Sequence, residues 1–216
     1  MDEVIMVLVF ASNNAHKLTE VREIMPAGIE VLSLRDIGFE QEIDETGTTL
    51  AENSMIKART VADFINKGLM NEGLKIDGVF ADDTGLEIDA LHGEPGVYTA
   101  RWYRMEGEQL KVNGEKEVFA ANRAKALRKL TGIEDRGAQF KTVITLICHD
   151  DAIQVEGIVR GQITTEEYGE GGFGYDPIFI PEGYDQTFGE LSPDIKNSIS
   201  HRSCALHALV EKLKIY

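Results

Sequence analysis

Apolar residues change period along this chain, and each change marks an element. Val4–Ala11 is a continuous apolar, β-branched run, the pattern of a strand buried on both faces in a mostly parallel sheet. It ends at Ser12-Asn13-Asn14, after which Leu18, Val21, Ile24 and Met25 recur at helical spacing. Ile29–Leu34 predicts a second strand, and Asp36–Gly47 an acidic loop. Thr49 with Glu52 makes a capping box for a long helix running to about Leu69. Val79–Ala81 predicts a short strand ending at Asp82-Asp83, with Leu86–Leu91 extended beyond it, and Glu94-Pro95-Gly96 a turn.

The second half reads the same way. Glu117–Leu130 predicts a helix with Phe119, Ala124, Leu127 and Leu130 near one stripe. Phe140–Cys148 and Ala152–Val159 predict an antiparallel pair around His149-Asp150-Asp151. Gly169–Pro177 is glycine-rich. Ile199–Lys214 predicts a closing amphipathic helix with Ala205, Leu206, Leu209, Val210 and Leu213 toward the core. No repeat, linker or low-complexity tract interrupts the series. The order of elements gives an α/β or α+β fold with a mixed sheet, and 216 residues make one domain or two small lobes.

Composition narrows the function classes. With 43% hydrophobic and 27% charged residues the chain can bury a core under a solvated surface, which excludes disordered, collagenous and membrane classes. The net charge of −15 repels nucleic-acid backbone and anionic lipid, so no nucleic acid polymer and no membrane is expected as a partner. A small anionic ligand remains open where a metal or clustered cations meet it. Cys148 and Cys204 are far apart without a C-x-x-C motif, which supports neither zinc nor a disulfide framework and points to a reducing cytoplasm. Met1-Asp2-Glu3 is acidic where a signal peptide is basic, and Val4–Ala11 is too short to span a bilayer.

Four short blocks carry candidate chemistry. Ser12-Asn13-Asn14-Ala15-His16-Lys17 lies where a buried strand turns into a helix, and there free N–H groups and the helix dipole favour an anion. A plain strand-to-helix turn with Asn caps fits the same residues. No Walker P-loop and no G-x-G-x-x-G follows the first strand. Asp82 and Asp83 are adjacent, so their side chains leave opposite faces of the pleat. One can meet Mg²⁺, a hard cation that takes one or two carboxylates and keeps waters and phosphates, with Asp44-Glu45 as a further ligand source. A solvated acidic turn is the alternative. Gly171-Gly172-Phe173-Gly174-Tyr175-Asp176-Pro177 lets backbone approach a flat ligand while a ring stacks on it, or plugs a core edge. Lys196 to Ser200-His201-Arg202 gathers three potential cations at the start of the last helix.

In this order the blocks resemble the inosine/xanthosine triphosphate pyrophosphatases, which hydrolyse non-standard purine nucleoside triphosphates. The resemblance rests on F-A-S-N-N-A-H-K at Phe10–Lys17 and A-D-D-T-G-L at Ala81–Leu86, with G-E-P-G-V-Y-T-A-R following at Gly93–Arg101. G-G-F-G-Y-D-P-I-F at Gly171–Phe179 and K-N-S-I-S-H-R at Lys196–Arg202 complete it. It implies a two-lobed α/β fold over residues 1–216, with a long central mixed sheet flanked by helices and a nucleotide cleft between the lobes. It also implies a homodimer in the cytoplasm, Mg²⁺ as cofactor, and ITP, dITP and XTP as substrates cleaved to monophosphate and pyrophosphate. By position, Ser12, Asn14 and Lys17 would hold the phosphates, and Asn13, Ala15, His16 and Lys57 would also bind substrate. Asp83 would bind metal and act as base, beside Thr84. Phe173, Gly174, Tyr175, Asp176, Lys196, His201 and Arg202 would line the base pocket.

Three departures stand out. Asp44 and Glu45 both occupy the region of the acidic metal ligand, and the sequence does not choose between them. Thr84 stands where many relatives have Ser, and keeps the hydroxyl. Tyr103–Lys116 matches no family block. Two rivals remain: a nucleotide sensor that binds without turnover, and a pyrophosphatase for pyrimidine or methylated nucleotides. The Asp82-Asp83 pair with Lys17 argues against the first, and Ser200-His201-Arg202 against the second.

Overall fold

The computed structural model describes residues 6–71, 73–105, 112, 114–149 and 151–213. A seven-stranded sheet runs β2-β1-β3-β5-β6-β7, with β4 paired on β3. Strand β1 (Met6–Phe10) is parallel to both β2 (Ile29–Leu32) and β3 (Gly78–Ile88). β4 (Pro95–Gly96) on β3, and β7 (Phe179–Pro181) on β6 (Asp151–Ile163), are antiparallel. The sheet is therefore mixed, as expected. β5 (Gly137–Cys148) and β6 are sheet neighbours two residues apart in the chain, and His149 turns at φ 54°. Both are longer than the apolar runs predict.

The chain forms two compact units. The first comprises residues 1–83, 142–157 and 202–216, and the second 84–141 and 158–201. In the first, β1 lies between two parallel neighbours, which explains its unbroken apolar sequence. Leu8 and Phe10 join Phe80 in a cluster with Val21 of α1 (Ala15–Ile24) and with Ala205, Leu206 and Leu209 of the last helix. Val9 and Ala11 join Val79 and Ala81 against Ala58, Val61 and Ala62 of α2 (Leu50–Asn66). The predicted capping box is present at the start of α2, where Thr49 and Glu52 bond reciprocally.

The second unit centres on Leu86, Ile88, Phe140, Ile163, Ile178, Phe179 and Phe188, with Ala126 and Leu130 packed on them. Helix α3 spans Glu115–Lys129, and its buried residues are Asn122, Lys125 and Ala126. The expected stripe is thereby corrected: Ala124 is exposed and Phe119 and Leu127 are half-buried, because two polar residues take the inner face. Of the Tyr103–Lys116 stretch, residues 106–111 and 113 lie outside the described residues, as do Val4, Ile5, Asp150 and Lys214.

Two further expectations are corrected. β3 does not stop at Asp82-Asp83 but runs through them for 11 residues. The closing helix expected over Ile199–Lys214 is present as α5 (His201–Leu213), but a separate helix, α4 (Pro193–Ile199), precedes it, divided from it by Ser200 at ψ 154°. Lys196 therefore sits on a different helix from Arg202.

Candidate functional site

The pleat of β3 assigns the acidic pair. Phe80 faces α1 and α5 while Ala81 faces α2, and alternation carries Asp82 to the first face and Asp83 to the second. Asp82 is 1% exposed. Its Oδ1 accepts from Lys17 Nζ at 3.0 Å and its Oδ2 from Arg202 Nε at 3.3 Å, and Arg202 also pairs with Glu20. On the other face, Asp83 Oδ1 accepts from Lys57 Nζ at 2.9 Å and Oδ2 from Asn53 Nδ2 at 3.3 Å. Lys57 Nζ also donates to Glu45 Oε1 at 2.8 Å. Neighbouring carboxylates thus have separate partners drawn from α1 and α5, and from α2 and the acidic loop.

Their acidities move apart. Burial alone pushes the Asp82 carboxyl up, but the charges of Lys17, Arg202 and Lys57 outweigh it and hold the group well below the ordinary carboxylate range. For Asp83 burial wins over Lys57 and Lys17, and the carboxyl is raised. Burial lowers Lys17 despite Asp82. Lys57 is raised, because Asp83, Asp82 and Glu45 together overcome its burial. The two adjacent acids are thus displaced in opposite directions.

At the start of α1, Asn14 is the N-cap. Its Oδ1 accepts from Lys17 N at 3.1 Å, and Ser12 Oγ accepts from Asn14 N at 3.3 Å. Asn13, Ala15 and His16 are exposed. Glu45 and Asp83 share one ammonium, whereas Asp44 is exposed. Two hard carboxylates brought to one positive centre suit Mg²⁺, which takes one or two such ligands. Among the described residues no three His, Cys, Asp or Glu side chains gather as metal ligands, so an all-protein cage has no support.

In the second unit, Thr84 follows Asp83 in β3 and is half-buried. Asp176 Oδ2 accepts from Phe173 N at 2.6 Å and from Lys196 Nζ at 2.8 Å, and that Nζ lies 4.5 Å from the Phe173 ring centroid. A Cβ on Gly172, which has φ +73°, would fall 2.2 Å from Asp176 Oδ2, so glycine is required there. Gly174 follows Phe173, half-buried. Tyr175 is buried, its hydroxyl donating to Thr99 O at 3.0 Å, and burial pushes the phenol well above its ordinary range. His201 is buried and its ring stacks on Phe140 at 4.7 Å.

The fold therefore brings together Lys17, Asp82 and Arg202; Lys57, Asp83 and Glu45; and Phe173, Asp176 and Lys196. Arg202's recorded partners, Asp82 and Glu20, belong to the first unit. Reading the sequence missed Asn53 and Glu20. Asn53 precedes Lys57 by four residues and Glu20 follows Lys17 by three, so each pair shares a helix face, a spacing that was available in the sequence.

No helix among the described residues is long and apolar enough to cross a membrane. A model of the Ham1 family matches residues 8–212. The dITP/XTP pyrophosphatase of Flavobacterium johnsoniae is 43% identical over 208 residues, covering 96% of this chain and 98% of that protein. That of Bacillus subtilis is 43% identical over 210 residues, covering 95% and 96%. The solved structure of the Staphylococcus aureus Ham1 protein matches with a TM-score of 0.79 at 37% identity, over 96% of this chain and 98% of that one. The crystal structure of the nucleoside-triphosphatase, dITP/XTP pyrophosphatase, of Mycobacterium abscessus gives 0.68 at 38% identity, over 95% and 99%.

Proposed function

The chain belongs to the Ham1 family, and we propose that it hydrolyses dITP, XTP and ITP to the monophosphate and pyrophosphate, removing them from the nucleotide pool. Relatives of this activity by name at 43% identity over nearly the whole chain support the reading. The observation that carries it is the meeting of Asp83 and Glu45 on Lys57, one strand position from the Lys17–Asp82 pair. An acid with raised affinity for protons stands next to one locked as an anion.

In this reading Lys17 and Lys57, with the Ser12–Lys17 segment at the N-terminus of α1, bind phosphate oxygens. Asp83 and Glu45 would hold Mg²⁺, which when bound supplies positive charge against the triphosphate. Asp83 orients a water and takes its proton as the water oxygen attacks the α-phosphorus. The bond from that phosphorus to the bridging oxygen breaks, and pyrophosphate leaves with the oxygen. Burial makes Asp83 a stronger base than an ordinary carboxylate, which favours this proton transfer.

The base falls to Phe173, which offers a ring face, and to the second-unit residues Gly174, Tyr175, Asp176, Lys196 and His201. Hypoxanthine and xanthine present an oxygen at position 6 where adenine presents an amino group. Lys196 and His201 would supply donors to that oxygen, and adenine would leave donor facing donor. An unmet buried polar group costs about 1–3 kcal/mol, and pockets built on such bonds discriminate by about 10⁴-fold or more. We also propose a homodimer acting in the cytoplasm, supported by the family resemblance and by a substrate drawn from the nucleotide pool. Light scattering of the purified chain tests the dimer.

The deciding experiment incubates the protein and Mg²⁺ with dITP, XTP, ITP, ATP, GTP and dCTP, detecting phosphate and pyrophosphate separately. Pyrophosphate from the three deaminated purines, abolished by chelator and restored by Mg²⁺, is expected. Binding without turnover would make the chain a sensor, and preference for dCTP would move it to the pyrimidine class.

A further inference from the structure

We infer that α3 is the positioning element for the glycine-rich loop at Gly171–Asp176, and that Arg123 is the side chain through which it acts. The inference rests on the proposed reaction, in which that loop meets the base.

Gly171, Gly172 and Gly174 supply three glycines in four residues, and Gly172 and Gly174 have φ of 73° and 63°. A Cβ on Gly174 would meet no atom within 4 Å. Glycine is there for its backbone, so the chain at Gly174 has little steric definition of its own and the most conformational freedom to lose. Its shape must come from tethers. Asp176 provides one by accepting from Phe173 N. The other comes from α3, where Arg123 Nη1 donates to Gly174 O at 2.8 Å and Nη2 pairs with Glu167 Oε2 at 3.0 Å. One turn earlier on the same helix face, the Phe119 ring lies 6.3 Å from that of Phe173.

The helix can act as a fixed arm because it is itself anchored. Asn122 Oδ1 accepts from Tyr103 N at 2.8 Å, and its Nδ2 donates to Thr99 O and Ala100 O. Lys125 Nζ donates to Trp102 O and Met105 O, each at 2.8 Å. Thr99 O also accepts from Tyr175, so the loop and the helix hold one carbonyl in common. A loop already in its binding shape loses less freedom when a base arrives, and that gain belongs to binding rather than to the chemical step.

The test measures kcat and KM with dITP for the wild type, Arg123→Ala and Arg123→Lys, and inhibition by inosine monophosphate and by pyrophosphate. A charged hydrogen bond of this kind is worth about tenfold or more in an equilibrium constant. Arg123→Ala should raise KM and the inosine monophosphate inhibition constant by about that factor, with kcat within about threefold and pyrophosphate inhibition unchanged. Arg123→Lys should recover part of the loss. Unchanged KM and nucleotide inhibition in Arg123→Ala would overturn the inference, and so would equal weakening toward pyrophosphate, which would indicate general damage. Should Arg123→Ala fail to fold, Glu167→Gln releases only the second hold on the guanidinium. A severalfold rise in KM supports the inference there, and none overturns it. A wild type that releases no pyrophosphate from dITP would instead sink the proposed function.

Discussion

Replacing each aspartate of the acidic pair with asparagine should separate stability from turnover. Asp82 and Arg202 are both 1% exposed, and Asp82→Asn leaves Lys17 and Arg202 facing a neutral amide. Removing one partner from a buried ion pair costs about 3–5 kcal/mol. For a chain of this size each kcal/mol lowers Tm by about 2–4 °C, so Tm should fall by roughly 6–20 °C. Asp83→Asn should cost less stability and more turnover. The fold raises the Asp83 carboxyl, so its ionised form is less favoured than that of Asp82, and Lys57, though it loses one of the carboxylates that raise it, keeps Glu45 in the variant. Tm should then fall by less than in Asp82→Asn, while turnover on dITP falls by at least about 10²-fold through loss of the base. Melting is followed by circular dichroism in chelator, so that metal binding does not enter. The pH dependence has matching signs. Stability from Asp82 is present above the unfolded carboxylate pKa of about 3.9 and is lost as pH falls toward its lower folded value. The burden from Asp83 is relieved as pH falls through its raised value. If Asp83→Asn melts as low as Asp82→Asn, or if Asp82→Asn loses turnover without losing Tm, the two faces of β3 do not divide the work.

Three other outcomes are expected. Lys17→Ala should weaken kcat/KM on dITP, XTP and ITP by a similar factor, because phosphate contacts carry no information about the base; a loss confined to one substrate would refute that placement. Glu45→Gln should raise the Mg²⁺ concentration needed for half-maximal activity while Asp44→Asn leaves it unchanged, and the reverse result would make Asp44 the ligand. Arg202→Ala should lower Tm, through stranded Asp82 and Glu20; an unchanged melting curve would refute Arg202 as the support of Asp82.

What could be read in the sequence was local. The unbroken apolar run of β1 requires burial on both faces, and the fold supplies it. Thr49 and Glu52 specify a helix start by contacts three residues apart. The termination predicted at Asp82-Asp83 failed because the residues that accept those charges are remote. Lys57 lies 26 positions away, Lys17 65 and Arg202 120. No window around β3 contains the cations that let two carboxylates sit inside a strand. Asn122 and Lys125 escaped for the same reason: their partners are backbone carbonyls of the 99–105 segment, which leave no mark on side-chain periodicity. Helix α4 left no apolar stripe to read, since its buried residue is Lys196.

The charges around β3 also bear on why an acidic chain would need a divalent ion to receive a triphosphate. Among the described residues around Asp82 and Asp83, the cations Lys17, Lys57 and Arg202 are each in contact with carboxylate: Asp82 for the first, Asp83 and Glu45 for the second, Asp82 and Glu20 for the third. Four carboxylates therefore face three cations before any phosphate arrives. Backbone amides at the start of α1 add only partial charge, equivalent to about half a unit at a helix N-terminus. Positive charge for a polyanion must then come with it or be released to it. A divalent ion held by the two carboxylates on Lys57 would do both, since it would bring charge of its own and take over the carboxylates that otherwise engage that ammonium. The acidic residues of the site would then not oppose the substrate. They would make its binding conditional on the proposed metal, which is the property that the chelator arm of the substrate screen measures.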